Sequence, residues 1–220
     1  NGSLMKVSWY SYDGKLNDGP QEKGDLTRVE AFNDGGSNTY ASFSYDAYGN
    51  KISEVDALGH ETKYVYGLRD TTYTYVDRIY NALNQYDDFS YDFGTGNLDW
   101  EEKNHIRKNY YYDTFGRVLM EVLPYDSYNL PTTEYNYSFD GIAPENVMVT
   151  KRNSLNSTSD VYDYYDGFSN LIQVRSPSDD SQQAVKDIFY DGMGRASFEH
   201  NPYLDNFSDT FSGSSSSAKS

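Results

Sequence analysis

The sequence predicts an all-β protein, an antiparallel meander of stacked hairpins, and three observations predict it. Asp-x-x-Gly tetrads recur along the chain, as in "YDAYGNKISEVDALGHETKYVYG" from Tyr45 to Gly67. Between them lie short segments in which aromatic or β-branched residues alternate with polar ones, the period of a half-buried strand. The chain also carries 24 tyrosines, side chains that suit a pleated surface because the ring packs while the hydroxyl keeps a hydrogen bond.

Each tetrad has a mechanical reading. An Asp opening a type I turn accepts backbone N–H groups, and a Gly in fourth place enters the left-handed region without a steric penalty. This is a hairpin with a glycine bulge. Asp46 to Gly49, Asp56 to Gly59, Asp113 to Gly116 and Asp191 to Gly194 fit, and Asp126 to Asn129 fits with Asn in the left-handed place. Aligned on the preceding tyrosine, the series reads Tyr45-Asp46, Tyr91-Asp92, Tyr112-Asp113, Tyr165-Asp166 and Tyr190-Asp191, with weaker copies ending at Tyr66 and near Tyr137. Starts fall roughly 21 to 28 residues apart, the spacing of one supersecondary unit in a stacked array.

Taken in order, "NKISEV" after Gly49 is long enough for a strand of about 20 Å. After Gly59, Thr62, Tyr64 and Tyr66 share one strand face while Lys63 and Val65 share the other. "DFGTGN" holds one additional residue before Gly96, and Ser169 replaces Gly in "DGFSN"; both predict a distorted or differently typed turn. The stretch 140–160 is polar around one apolar run, "VMV", and reads as a strand with an inserted loop. The six prolines fall beside turn signals, and no segment sustains a helical period with caps. Residues 1–207 therefore form one repeat region of about seven to eight units. Residues 208–220 read as a Ser-rich flexible tail.

Composition bounds the function. Leu, Ile, Val and Phe make up 42 of 220 residues and the formal charge is −16, a balance near that of disordered chains; the tyrosines restore a foldable surface. The acidic balance with scattered Lys and Arg opposes nucleic-acid binding. Without cysteine there is neither a disulfide nor a thiolate site. No apolar run has the length of a membrane span, and the opening "NGSLMKVSWY" reads as the interior of a longer chain.

Tyr-Asp-x-x-Gly-Arg/Asn followed by a short β-branched strand, recurring from Tyr45 to Arg195 and ending in Arg117 and Arg195 in two copies, resembles the YD (RHS) repeat family. Its members include bacterial RHS toxins, the B and C components of insecticidal toxin complexes, and teneurins. The resemblance implies a β-sheet that spirals into a shell, enclosing an effector in the toxins, and a secreted or cell-surface location. This chain has strands for one band of such a wall, and it lacks the Asp-Pro dipeptide of the self-cleaving segment that closes the toxin shells.

Reaction templates find little to match. His60, His105 and His200 read as surface or turn residues, and no HExxH, GxSxG or phosphate loop is present. The acidic stretches at Asp13, Asp87 and Asp179 lack the oxygen spacing of a calcium loop, and turn duty accounts for them. Alternating tyrosines such as those at 110–112 read as cross-strand ladders, or as rings that stack on sugars. Asn136, Asn156 and Asn206 open glycosylation sequons. The expectation is a non-catalytic structural segment, with no cofactor and no metal. Its partners would be neighbouring repeats of a longer chain or other copies of itself. The alternative is a module that binds cell-surface glycan or protein, or a filament subunit.

Overall fold

A computed structural model describes residues 7–16, 22–32, 36–178 and 182–213. The acidic pair at 179–180, Asp18 of the stretch that begins at Asp13, and residues 214–220 of the Ser-rich segment lie outside the described residues. Every regular element among the described residues is a β-strand, and all the pairings within each unit are antiparallel. No helix among them is long and apolar enough to cross a membrane. The chain divides into two compact units, residues 1–107 and 108–220, a division that motif spacing does not mark.

The first unit contains β1 (Ser8–Tyr12), β2 (Lys15–Leu16), β3 (Leu26–Ala31), β4 (Thr39–Tyr45), β5 (Lys51–Val55), β6 (Glu61–Tyr66), β7 (Val76–Tyr80), β8 (Tyr86–Tyr91) and β9 (Leu98–Lys103). β1 lies between β2 and β3, and from β3 onward each strand pairs with the next. The second unit contains β10 (Ile106–Tyr112), β11 (Val118–Val122), β12 (Thr133–Ser138), β13 (Glu145–Ser154), β14 (Ser157–Tyr165), β15 (Leu171–Pro177), β16 (Gln182–Tyr190), β17 (Ala196–Glu199) and β18 (Tyr203–Asn206). It too is a meander up to β16, whose far edge is shared: β17 pairs with Ile188 to Tyr190, and β18 with Gln182 to Val185.

Two expectations are corrected here. The stretch 140–160 holds its loop only at residues 140–144, ahead of β13. It forms most of a long hairpin in which β13 and β14 pair from Glu145↔Tyr165 to Ser154↔Ser157 across a two-residue turn. Its polarity reflects half-exposed strand faces, with Thr150 bonded to Asp160 across the pair (2.7 Å), rather than a loop. Residues 208–213 are likewise not a free tail. Phe211 packs on Tyr164 with centroids 5.8 Å apart, and the Ser212 carbonyl accepts from Gln173 Nε2 at 2.9 Å, because β14 to β16 present polar groups that this segment satisfies.

The buried residues are few. Among the described residues, Val122, Tyr162, Tyr164 and Val185 are the buried apolar side chains, all in the second unit. Strict alternation on β14, β15 and β16 puts Tyr162, Arg175 and Val185 in one cross-strand row and Tyr164, Gln173 and Asp187 in the next. In the first unit most strand side chains are half-buried.

Candidate functional site

Among the described residues the repeated motif builds one turn six times. In each, the first residue donates its N–H to the carbonyl of the fifth and accepts the N–H of the fourth on its own carbonyl. Its side-chain Oδ1 accepts the N–H groups of the third and fifth residues. At Asp113 these bonds are 2.9, 3.0, 2.8 and 2.9 Å. The same set occurs at Asp46, Asp56, Asp166 and Asp191. The fifth side chain then closes on the second carboxylate oxygen: Arg117 Nε to Asp113 at 2.6 Å, Arg195 Nε to Asp191 at 2.8 Å, Asn50 and Asn170 through their amides, and the His60 ring beside Asp56 at 2.9 Å. Arg and Asn serve in the fifth place because each presents donors at that distance.

The sixth copy, at Asn81, was missed. Asn81 Oδ1 accepts from Leu83 and Gln85, Asn84 takes the left-handed place at φ 58°, and the closing bond runs in reverse, from the Asn81 amide to Gln85 Oε1 at 2.9 Å. "NALNQ" was the legible signal, since Asn offers the same acceptor as Asp and tolerates positive φ. Ser169 is a correction. It sits at φ 64° in a turn bonded like the glycine copies, so no distortion follows from its side chain. The four bonds from Asp166 hold a conformation that disfavours a β-carbon by about 1 kcal/mol. Ser169→Gly should therefore raise stability by about 1 kcal/mol, and Gly116→Val, at φ 78°, should lower it by at least as much; urea denaturation of both variants checks the pair.

"DFGTGN" forms a wider turn in which the Gly96 N–H donates to the Asp92 carbonyl at 2.7 Å and Thr95 supplies N–H and hydroxyl to Asp92 Oδ1. Gly96 is doubly required, since φ is 79° and a β-carbon would lie 2.7 Å from Tyr75 Oη. The assignment of Asp126 to Asn129 is corrected. Pro124 and Tyr125 occupy the turn centre, Tyr125 takes φ 77°, and the Asp126 N–H donates to the Leu123 carbonyl at 3.1 Å. Proline presets the first central residue of that turn, which moves the reversal ahead of Asp126. Its carboxylate instead accepts from Thr132 Oγ1 at 2.5 Å.

Four tyrosines at strand ends, of which Tyr45 and Tyr190 directly precede a turn Asp, have their own task. Seven times, the second residue of the following strand is bulged: Thr27, Ile52, Asp77 and Asp99 in the first unit, Leu119, Ile172 and Ser197 in the second. A bulge disrupts the ladder beside it. The carbonyl just before the bulge is taken by a tyrosine hydroxyl from the next repeat: Tyr45 to Leu26 (3.0 Å), Tyr66 to Lys51 (3.3 Å), Tyr137 to Val118 (2.8 Å) and Tyr190 to Leu171 (3.0 Å). Tyr190→Phe should cost about 1 kcal/mol, measured by chemical denaturation, with no change in strand content. Tyr91 differs, its ring stacking on Tyr75 with centroids 4.8 Å apart.

These turns set the acid response. The His60 N–H and ring hold the Asp56 carboxyl below its usual range, and the Arg195 N–H and guanidinium do the same for Asp191. At Asp46 and Asp113 partial desolvation opposes ionisation, but the bonds from Asn50 and Arg117 outweigh it. Asp13, which accepts N–H groups from Gly24, Glu22, Lys23 and Asp25, is lowered from 3.8 to about 2. Asp99 and Asp163 are pushed the other way by burial. A carboxyl whose folded pKa is depressed contributes stability above its unfolded pKa and loses it as pH falls through the folded value. Stability should thus fall between pH about 4 and about 2, read as the urea midpoint against pH. Asp113→Asn should keep the turn, as Asn81 does, and flatten its share of that slope.

A second cluster went unseen in the sequence. In the second unit Arg175, Gln173 and Gln183 are wholly buried and Asp187 nearly so. Arg175 donates to Gln173 Oε1 (2.9 Å), Gln183 Oε1 (3.2 Å), Asp205 (3.1 Å) and the Ser212 hydroxyl. Gln173 Nε2 donates to Asp187 at 2.6 Å, and Tyr203 Oη donates to the other Asp187 oxygen at 2.9 Å. Burial and then that bond push the Tyr203 hydroxyl up to about 12. His200, read as a turn residue, lies 3.3 Å from Asp187 among Phe189, Phe198 and Tyr203. His105 occupies a positive-φ pair with Asn104, and His60 is exposed. Asn136 lies in β12, Asn156 in the β13–β14 turn and Asn206 in β18.

No family model and no curated protein matches the sequence. Solved structures are similar at low identity. The Photorhabdus luminescens Tc holotoxin pore matches at 13% identity and a TM-score of 0.49, over 88% of this chain and 12% of that one. The TcdB2-TccC3 complex without its hypervariable C-terminal region matches at 15% and 0.47, over 79% and 12%. The TcdB2-TccC3-Cdc42 complex matches at 14% and 0.45, again over 79% and 12%. The chain thus spans about an eighth of the length of the solved chains it matches.

Proposed function

We propose that this chain is a non-catalytic segment of a YD-repeat β-sheet wall or scaffold that works outside the cell, where such a wall encloses an effector. The observation that supports this most is the tyrosine latch: in four repeats, at Tyr45, Tyr66, Tyr137 and Tyr190, the hydroxyl is spent on the carbonyl of the preceding repeat. The defining carboxylates are spent in the same way, accepting bonds from their own turns. The tyrosines couple a unit to its neighbour while the carboxylates hold each turn, which gives an array whose stability is a sum of unit and nearest-neighbour terms. Electron microscopy of the full-length gene product tests the reading. Particles with a continuous β-sheet wall around a cavity are expected, and solid compact particles without one would overturn it.

A further inference from the structure

The segment that follows β18, residues 207–213, is held onto β14 to β16 by side chains. Among the described residues no backbone-to-backbone hydrogen bond ties it to the sheet, and Asp209, Thr210, Ser212 and Gly213 stay exposed. A segment docked without a ladder lies at the low-stability end of a fold. The surface that receives it is organised without it. Arg175 donates from Nε to Gln173 Oε1 at 2.9 Å and from a terminal nitrogen to Gln183 Oε1 at 3.2 Å, and Gln173 Nε2 donates to Asp187 at 2.6 Å. All four of these side chains are buried.

A carboxamide carries two donor hydrogens and two acceptor sites. The bonds to Arg175 and Asp187 use one of each on Gln173, and the bond to Arg175 uses one acceptor site on Gln183. They fix the orientation of both amides and leave the remaining capacity for the segment's backbone. Gln173 Nε2 donates to the Ser212 carbonyl at 2.9 Å and Oε1 accepts the Ser212 N–H at 3.4 Å, so one amide meets both main-chain groups of one residue, as an added strand does. Gln183 Oε1 accepts the Ser208 N–H at 3.0 Å. Such bonds read an extended main chain whatever its side chains. Sequence enters at two places, where the Phe211 ring packs on Tyr164 with centroids 5.8 Å apart and where the Ser212 hydroxyl accepts from Arg175. We propose that this face of β14 to β16 is a peptide-binding groove for an extended segment of a partner chain that carries an aromatic residue followed by a hydroxyl residue, with residues 208–213 as its resident, exchangeable occupant. Because the protein already holds the receiving groups in place, a partner brings only the cost of its own ordering. The groove does not rest on the wall reading.

A labelled peptide with the sequence of residues 207–213, titrated by fluorescence anisotropy into the full chain and into its Phe211→Ala variant, tests it. In the parent the tethered resident competes at high effective concentration, so the peptide should bind the Phe211→Ala chain more tightly, by about ten-fold or more. Within the peptide, N-methylation at Ser208, which deletes the N–H that Gln183 receives, and Phe211→Ala should each weaken binding about ten-fold. A scrambled peptide should not bind. Saturating peptide should also accelerate hydrogen exchange of residues 208–213 in the parent chain, a readout that needs no substitution in the protein. No binding to the variant together with unchanged exchange in the parent, or equal affinity for the N-methylated or the scrambled peptide, overturns the assignment.

Discussion

Arg175→Ala should destabilise the second unit by about 3–5 kcal/mol, the range for stranding the partners of a buried charge. The side chain is 1% exposed and serves four acceptors on three different segments. Its loss takes one of two donors from each of Gln173 Oε1 and Gln183 Oε1, which keep the Ser212 and Ser208 N–H groups, and frees Asp205 and the Ser212 hydroxyl. Because those last two hold the C-terminal segment down, hydrogen exchange in residues 203–213 should accelerate more than elsewhere in the unit. Arg175→Met restores much of the volume but none of the bonds, so it should recover only part of the loss. An Arg175→Ala protein with an unchanged urea midpoint would mean that the network contributes nothing to stability.

Tyr164→Ala is the second large effect, about 3–5 kcal/mol for an aromatic ring removed from a packed site. Tyr164 is 2% exposed, stacks on Tyr162 with centroids 6.4 Å apart, and receives Phe211 on its flank. Its hydroxyl is buried without a partner, and burial pushes its pKa up to about 12. Tyr164→Phe should therefore be neutral or stabilising by up to about 1 kcal/mol, since it deletes an unsatisfied polar group. The contrast between the two substitutions, measured by thermal or urea denaturation, separates ring packing from the hydroxyl. If Phe also costs more than about 1 kcal/mol, the hydroxyl has a partner in solution and this account of the site fails.

Legibility tracked the range of the interaction. The bonds at Asp46, Asp56, Asp113 and Asp191 are closed within five residues, and the spacing of Asp and Gly announces them. Asn81 uses the same geometry through an amide, which a search keyed to Asp passes over. Ser169 looked like a fault because the favoured residue was missing, yet the side-chain bonds from Asp166 override a local preference of about 1 kcal/mol. Asp126 misled in the opposite way, since Pro124 two residues earlier determines where the chain reverses.

The latch and the covered polar face lay beyond such reading. Tyr190 reaches Leu171 only because a bulge at Ile172 sets the register beside it. On β15 and β16 the buried positions are Gln173, Arg175, Gln183 and Asp187 beside Val185, so a search for an apolar face selects the wrong side chains. Residues 208–213 carried no pattern of their own because their partners lie 25 to 39 positions away.

By itself, then, the sequence determined the strand-and-turn alternation and the chemistry of each reversal, because those depend on backbone preferences and bonds between near neighbours. Only the tertiary structure decided which carbonyls Tyr45, Tyr66, Tyr137 and Tyr190 cap, which polar groups are sealed from water and where the C-terminal segment lies. Those outcomes depend on strand register, which brings distant residues together and which no local preference encodes.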